Sequence, residues 1–321
     1  MITRRNLLKA TAGLSVFAAG SRIVLPASTG AQQTPPGKIL FGRNGNIWIW
    51  RNGESSPLFE EGNASDPRWS PLGDKLIFVR TGDSYSDLIL RNLTTGADTA
   101  LTANQAYGDI GTEDYVNNCS WALDPYWSAS GLIAFVSDYY TANGTMSLFL
   151  MNEIGSAPYA ALMAQEEGNI ESATLAAGSA LAGYTVRSSD VNSYNMTYIA
   201  LRDLDKGVAY PILSEQGSGF DPAFSPDDSN IVFSVRSENQ TDLWLVSRSD
   251  TSAQVRITEG EQATSPCWSP DGSWLAYVRM VNFKFEIWAR PHTVGEFGEA
   301  QRLAEFEDLD APGGLSWSLA P

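Results

Sequence analysis

Short apolar runs alternate with turn-forming residues along most of the chain. "KLIFVR" (Lys75 to Arg80), "LIAFVS" (Leu132 to Ser137), "NIVFSVR" (Asn230 to Arg236) and "WLAYVR" (Trp274 to Arg279) are each a buried strand by length and composition. Each follows a tight turn, and each turn follows an aromatic: "DPRWSPLGD" from Asp66, "DPYWSASG" from Asp124, "DPAFSPDD" from Asp221 and "SPCWSPDG" from Ser265. In the last of these, Pro270 stands second in the turn, where its fixed φ fits, and Gly272 fourth. Ser265 to Ser269, Trp274 to Arg279, Phe285 to Arg290 and Ala300 to Phe306 then read as four successive strands.

Aligned on the aromatic before the turn, the units are anchored at Trp69, Trp127, Leu175, Phe224, Trp268 and Trp317, spaced 58, 48, 49, 44 and 49 residues apart. A period in this range marks propeller blades, each a four-stranded sheet. The unit from Ser172 to Arg187 keeps the period with Leu175 in place of the ring, and "YIALRDLDKG" (Tyr198 to Gly207) supplies its third strand and turn. No blade buries both faces alone, so a ring of blades is expected, with the anchor side chains filling the space between neighbours. The two ends complement each other. "GGLSWSLAP" (Gly313 to Pro321) is a lone first strand. "KILFGR" (Lys38 to Arg43), the Asn44-Gly45 turn, "NIWIWR" (Asn46 to Arg51) and "SPLFEE" (Ser56 to Glu61) are three strands lacking one. The expected fold is all-β: a six-bladed β-propeller of four-stranded blades over 38–321, closed by pairing the C-terminal strand with the N-terminal blade, with no exposed sheet edge at the seam.

The repeat Trp/Phe-Ser-Pro-Asp-Gly before an apolar strand resembles that of the TolB-type propellers, over essentially all of 38–321. Full TolB proteins carry an additional N-terminal α/β domain, for which no room is expected here. The hydrolase domain that accompanies this repeat in prolyl-oligopeptidase-like enzymes is likewise not expected. The resemblance implies an extracytoplasmic protein-interaction propeller.

Residues 1–31 differ in kind. "TRRNLLK" (Thr3 to Lys9) precedes a short apolar run, "ATAGLSVFAAG", and small residues ending at Ala31 suit cleavage. The run is too short to span a bilayer. The paired arginines resemble a twin-arginine export signal, so a periplasmic or extracellular location is expected, with 32–37 as a linker. The whole chain carries a net charge of −16. Without the four basic residues of the signal, 17 basic side chains face 37 acidic ones. That field repels phosphate backbones and anionic lipids, so neither a nucleic-acid partner nor membrane insertion is expected.

Candidate chemistry is sparse. His292 is the single histidine, and the two cysteines, Cys119 and Cys267, fall in different repeats; both are expected as free thiols. No catalytic residue or metal ligand is assigned. Calcium needs only oxygen ligands, but "RDLDKG" (Arg202 to Gly207) lacks a third ligand position and reads as a polar turn.

The loops carry more information. First-to-second-strand turns are short, whereas the long connections (81–87, 104–124, 137–145, 188–195 and 280–285) fall on the opposite face of the disc. They hold Tyr85, Tyr107, Asp109, Glu113, Asp114, Tyr115, Trp121, Tyr139, Tyr140, Tyr194 and Phe283, a mixture of rings and acids suited to a binding face. Asp66, Asp124 and Asp221 precede three anchors by three residues and are expected near the channel mouth on that face. Such carboxylates either satisfy neighbouring backbone N–H groups or make the mouth acidic, fit for a cation or a basic peptide. The expected function is a non-catalytic binding propeller that recognises a protein, a peptide or a cell-envelope component, with Tyr115, Trp121, Tyr139 and Tyr140 as contact anchors. The rivals are a carbohydrate-active propeller, either a lectin or a lyase or hydrolase using Asp109, Glu113 and Asp114, and a scaffold subunit.

Overall fold

The computed structural model describes residues 33–139, 144–152, 168–178, 180–188, 197–212, 218–294 and 296–320. The export-signal expectation, and Tyr140 and Tyr194, lie outside them.

Six antiparallel sheets form the ring. Blade 1 runs Ala64–Trp69, Lys75–Thr81, Ser86–Asn92, Asp98–Ala100. Blades 3, 4 and 5 begin with Gly168–Leu175, Ser218–Phe224 and Ala263–Trp268, and three further main strands follow in sequence order. Blade 2 shows three strands among the described residues, beginning with Ala122–Trp127. Blade 6 is the seam: Leu309–Ser318 pairs antiparallel with Lys38–Arg43, setting Ile39 opposite Trp317 and Phe41 opposite Leu315, and Asn46–Arg51 and Glu54–Glu60 complete it. The ring closure read from the two chain ends is therefore present, and the fold is the expected all-β propeller. Among the described residues one short helix, Glu113–Asn118, is an addition to that picture.

The core is built between blades. Six clusters of buried side chains recur, each shared by two neighbours. One joins Ile77, Val79 and Leu88 of blade 1 to Ile133, Phe135 and Phe149 of blade 2. Another joins Trp274, Val278 and Ile287 of blade 5 to Ile39, Phe41 and Trp317 of blade 6. The anchors Trp69, Trp127, Leu175, Phe224, Trp268 and Trp317 are all buried. Burial of one such side chain stabilises by about 1.5–3 kcal/mol, which accounts physically for their recurrence.

The Ser and Asp of the repeat also have structural work. In blade 5, Gly272 N–H donates to Ser269 O at 2.8 Å and takes φ +71°, which favours glycine. The Ser269 hydroxyl accepts from Trp274 N–H and donates to Asp271, whose carboxylate also accepts from Ser273 N–H. Ser225 and Asp227 repeat this in blade 4, and the Ser225 hydroxyl helps hold Asp227 below the usual carboxylate range.

At the seam, Gly37 has φ +81°, and a Cβ there would lie 2.2 Å from the Ser318 carbonyl oxygen. Replacing Gly37 with Ala should weaken the protein by about 1–2 kcal/mol or more, seen as a lower denaturant midpoint with an unchanged slope.

Candidate functional site

The first strands line the axis, and each carries one residue in the left-handed region at the same place. These are Asp66, Asp124, Ser172, Asp221, Ser265 and Gly314, with φ of 50°, 48°, 34°, 52°, 53° and 63°. A register shift accompanies each of them in blades 1 to 5. A non-glycine residue there costs roughly 1–2 kcal/mol, and the side chains return that cost by bonding across blades. The Asp66 carboxylate accepts from the Asp124 N–H, and the Asp124 carboxylate from the Ser172 N–H. Asp221 accepts from the Ser172 and Ser265 hydroxyls and the Ser265 N–H. The Ser265 hydroxyl also lies 3.0 Å from Ala311 O, reaching blade 6. The result is a belt of polar contacts running from blade to blade around the axis, and N–H satisfaction is one role of the three aspartates.

The belt is strongly desolvated. Burial pushes the Asp66 carboxyl up to about 7, with the Asp124 charge adding to the shift and Arg68 opposing it. Burial likewise raises Asp124 to about 6 against Arg68, with Asp221 pushing the same way, and burial raises Asp221 and Asp310. Arg68 was not singled out in the sequence. Its guanidinium donates to Pro67 O and Gly313 O, both at 2.9 Å, from a half-buried position among Asp66, Asp124 and Asp310.

Beyond the belt lies a cavity of about 400 Å³. Asp124, Ser172, Asp221 and Ser265 stand at its inner end, and the six anchor side chains form its wall. Pro71, Ala129, Pro226, Pro270 and Leu319 surround its mouth. Those mouth residues belong to the short turns and the C-terminal end, so the cavity opens on the face opposite the long loops. This revises the expected position of the carboxylates: Asp124 and Asp221 address the turn face. The Trp69, Trp127 and Trp268 indole N–H groups are buried and have no hydrogen-bond partner among the described residues, whereas Trp317 donates to Pro36 O at 2.8 Å.

On the loop face the predicted residues divide. Tyr107, Asp109, Glu113, Asp114 and Phe283 are exposed, Tyr107 and Phe283 almost completely. Tyr115, expected as a contact anchor, is buried; it lies on the helix Glu113–Asn118, and its hydroxyl accepts from Gln105. Thr112 caps that helix, accepting from Tyr115 N–H, and Glu113 and Asp114 occupy the first turn, where negative charge is favoured. Trp121 is half-buried, its N–H bonded to Asp138 at 2.7 Å. Half-buried Tyr139 packs on the core between blades 1 and 2, and Tyr85 folds over Gly82.

Other candidates resolve into structure. His292 packs edge-on against Trp268 with centroids 4.9 Å apart, and its Nδ1 lies 2.8 Å from Gly272 O. Asp203 caps its own turn through the N–H groups of Asp205 and Lys206. Cys119 and Cys267 are free thiols; Cys267 lines the cavity, and burial lifts its thiol to about 11.

No family model matches the chain. The Tol-Pal system protein TolB of a Polaromonas species is 35% identical over 78 residues, 24% of this chain and 18% of that protein. The crystal structure of TolB from Acinetobacter baumannii superposes over 88% of this chain and 66% of its own, with TM-score 0.65 and 16% identity. The chain thus spans less than two thirds of the length of either. An oligogalacturonate lyase in complex with manganese is a more distant neighbour, with TM-score 0.53 and 12% identity over 81% of this chain and 70% of that one. By fold, the chain is a six-bladed β-propeller similar to that of the TolB structures.

Proposed function

We propose that this is an exported binding propeller that recognises a protein or peptide partner of the cell envelope on its loop face. The observation that carries this reading is the placement of exposed apolar side chains. Tyr107, Ile110 and Val116, between blades 1 and 2, and Met280 and Phe283, on blade 5, are all exposed on the loop side. Blades 2 and 5 stand opposite each other in a six-fold ring, so a partner touching both groups reaches across the loop face. Large exposed rings on a rigid scaffold mark interaction sites, and the neighbouring Asp83, Asp109, Glu113 and Asp114 select for a basic partner surface. The TolB likeness supports an envelope role, and the arginine pair and apolar run of residues 1–31 support export. A carbohydrate-active reading would rest on Asp109, Glu113 and Asp114, and the place of Glu113 and Asp114 in the first turn of a capped helix already explains those two.

The test is capture of partners from the native envelope by the mature propeller. Changing Tyr107 and Phe283 together to Ala should abolish capture while moving the thermal midpoint by no more than about a degree, since surface positions change stability by about 0.5 kcal/mol or less. Capture unchanged by the double substitution overturns the loop-face reading.

A further inference from the structure

We propose that the channel cavity is a second binding site, open on the turn face, that receives an organic cation: the guanidinium or ammonium at the end of an apolar stem, as on a basic side chain of a peptide.

Three features of the cavity converge on this chemistry. Its inner end presents carboxylates in excess of resident cations. Arg68 acts on Asp66, Asp124 and Asp310 and is itself tied to two carbonyl oxygens. The groups acting on Asp221 are the Ser172 and Ser265 hydroxyls, the Ser265 N–H and the Glu171 carboxylate. A second cation placed between Asp124 and Asp221 therefore meets two negative groups in a desolvated site, where such a pairing is strong.

The wall between those acids and solvent is aromatic: Trp69, Trp127, Phe224, Trp268 and Trp317. Aromatic faces attract cations and pack against methylene stems. One of these rings already shows the preference, since the Lys38 ammonium sits 4.7 Å from the Trp69 ring centroid on the blade 6 side.

The third feature is independent of charge. A volume of about 400 Å³ falls in the range of small-ligand pockets; a lone guanidinium leaves most of it empty, and a basic residue with its flanking backbone fills it better. The surplus of acidic side chains over the whole chain steers such a ligand inward.

The loop-face reading is separate and stands or falls on its own test. The experiment here is titration of the mature protein with n-butylguanidinium, with n-butylurea as its neutral near-isostere, and with a blocked Ala-Arg-Ala peptide. It is followed by calorimetry and by the indole N–H resonances, assigned by single Trp→Phe changes. The expected result is saturable binding of the two guanidinium compounds, shifts at Trp69, Trp127 and Trp268, and none with n-butylurea. Asp124→Asn and Asp221→Asn should each weaken binding by about tenfold or more. Both variants keep an acceptor oxygen for the belt, and their folding is checked by thermal melts. If the peptide binds much more tightly than n-butylguanidinium, the source is a peptide side chain; equal affinity points to a small free amine; either supports the cationic site. Binding of n-butylurea as tight as that of n-butylguanidinium, unmoved indole signals, or full affinity in both folded Asn variants overturns it.

Discussion

Removal of residues 309–320 should leave a chain without a cooperative thermal transition and without near-ultraviolet circular dichroism. The segment is the inner strand of blade 6, and its partner Lys38–Arg43 is the first strand of the described residues, so the two lock the ring. Leu309, Ala311, Leu315 and Trp317 are all buried, in the cluster that joins blades 5 and 6. Losing a large buried side chain costs about 3–5 kcal/mol when the site does not collapse, and whole domains are stable by only about 5–15 kcal/mol. Losing four apolar side chains and a strand's worth of ladder bonds at once exceeds that margin. Trp317→Ala alone is the graded control. It removes the ring and the bond from its indole N–H to Pro36 O, and should cost about 3–5 kcal/mol, a drop on the order of 10 °C in the thermal midpoint, with cooperativity kept. A truncated chain that still melts cooperatively would show that the ring does not depend on this seam.

This dependence explains why the architecture was so legible in the sequence. Ring closure, blade count and core placement all follow from one repeated unit: an anchor to fill the space between blades and a buried second strand recur in every copy, and in blades 4 and 5 the turn between them is wired through its Ser and Asp. Even Leu175, which breaks the aromatic rule, keeps its place in the core. The site was less legible because its geometry depends on what crosses between units. Asp66, Asp124 and Asp221 stand out in the repeat, but their partners lie in neighbouring blades, at a separation of 44 to 58 residues that no local pattern encodes. Arg68 looks like any polar residue between Pro67 and Trp69 until the fold sets it beside Gly313, 245 positions away. The burial of Tyr115 did have a local signal. Thr112 followed by Glu113 and Asp114 is an N-cap with an acidic first turn, and a helix in a loop hides one of its sides. Loop aromatics cannot be sorted into contacts and local core by composition alone, and at that level Tyr107 and Tyr115 are equivalent.

Replacing Asp66 with Asn should raise the melting temperature at pH 8 by several degrees and leave it nearly unchanged at pH 4. Asp66 is buried, and desolvation, reinforced by Asp124 and Asp310 and opposed by Arg68 and the Asp124 N–H, lifts its carboxyl from 3.8 to about 7. A carboxyl that rises on folding keeps its proton in the native state where the unfolded chain has already lost it. Between pH 4 and 7 the native state therefore binds more protons, and stability falls as pH rises. A shift of this size corresponds to at most about 4 kcal/mol at and above pH 7, and sharing of the proton with Asp124, itself lifted to about 6, makes the belt titrate as a unit. Asn removes the ionisation while keeping an oxygen for the Asp124 N–H, so the variant escapes this loss; it gives up only the attraction to Arg68. Other carboxylates act with the opposite sign. Asp242 is held below its ordinary range despite its burial by Arg256, by the Gly260 and Glu261 N–H groups and by Thr258, so it adds stability that is lost as pH falls. The diagnostic quantity is thus the difference between variant and parent across pH, in which such groups cancel. If Asp66→Asn instead melts lower than the parent at pH 8, the ionised Asp66–Arg68 attraction outweighs the cost of burial, and the belt is held together by charge rather than by shared hydrogen bonds.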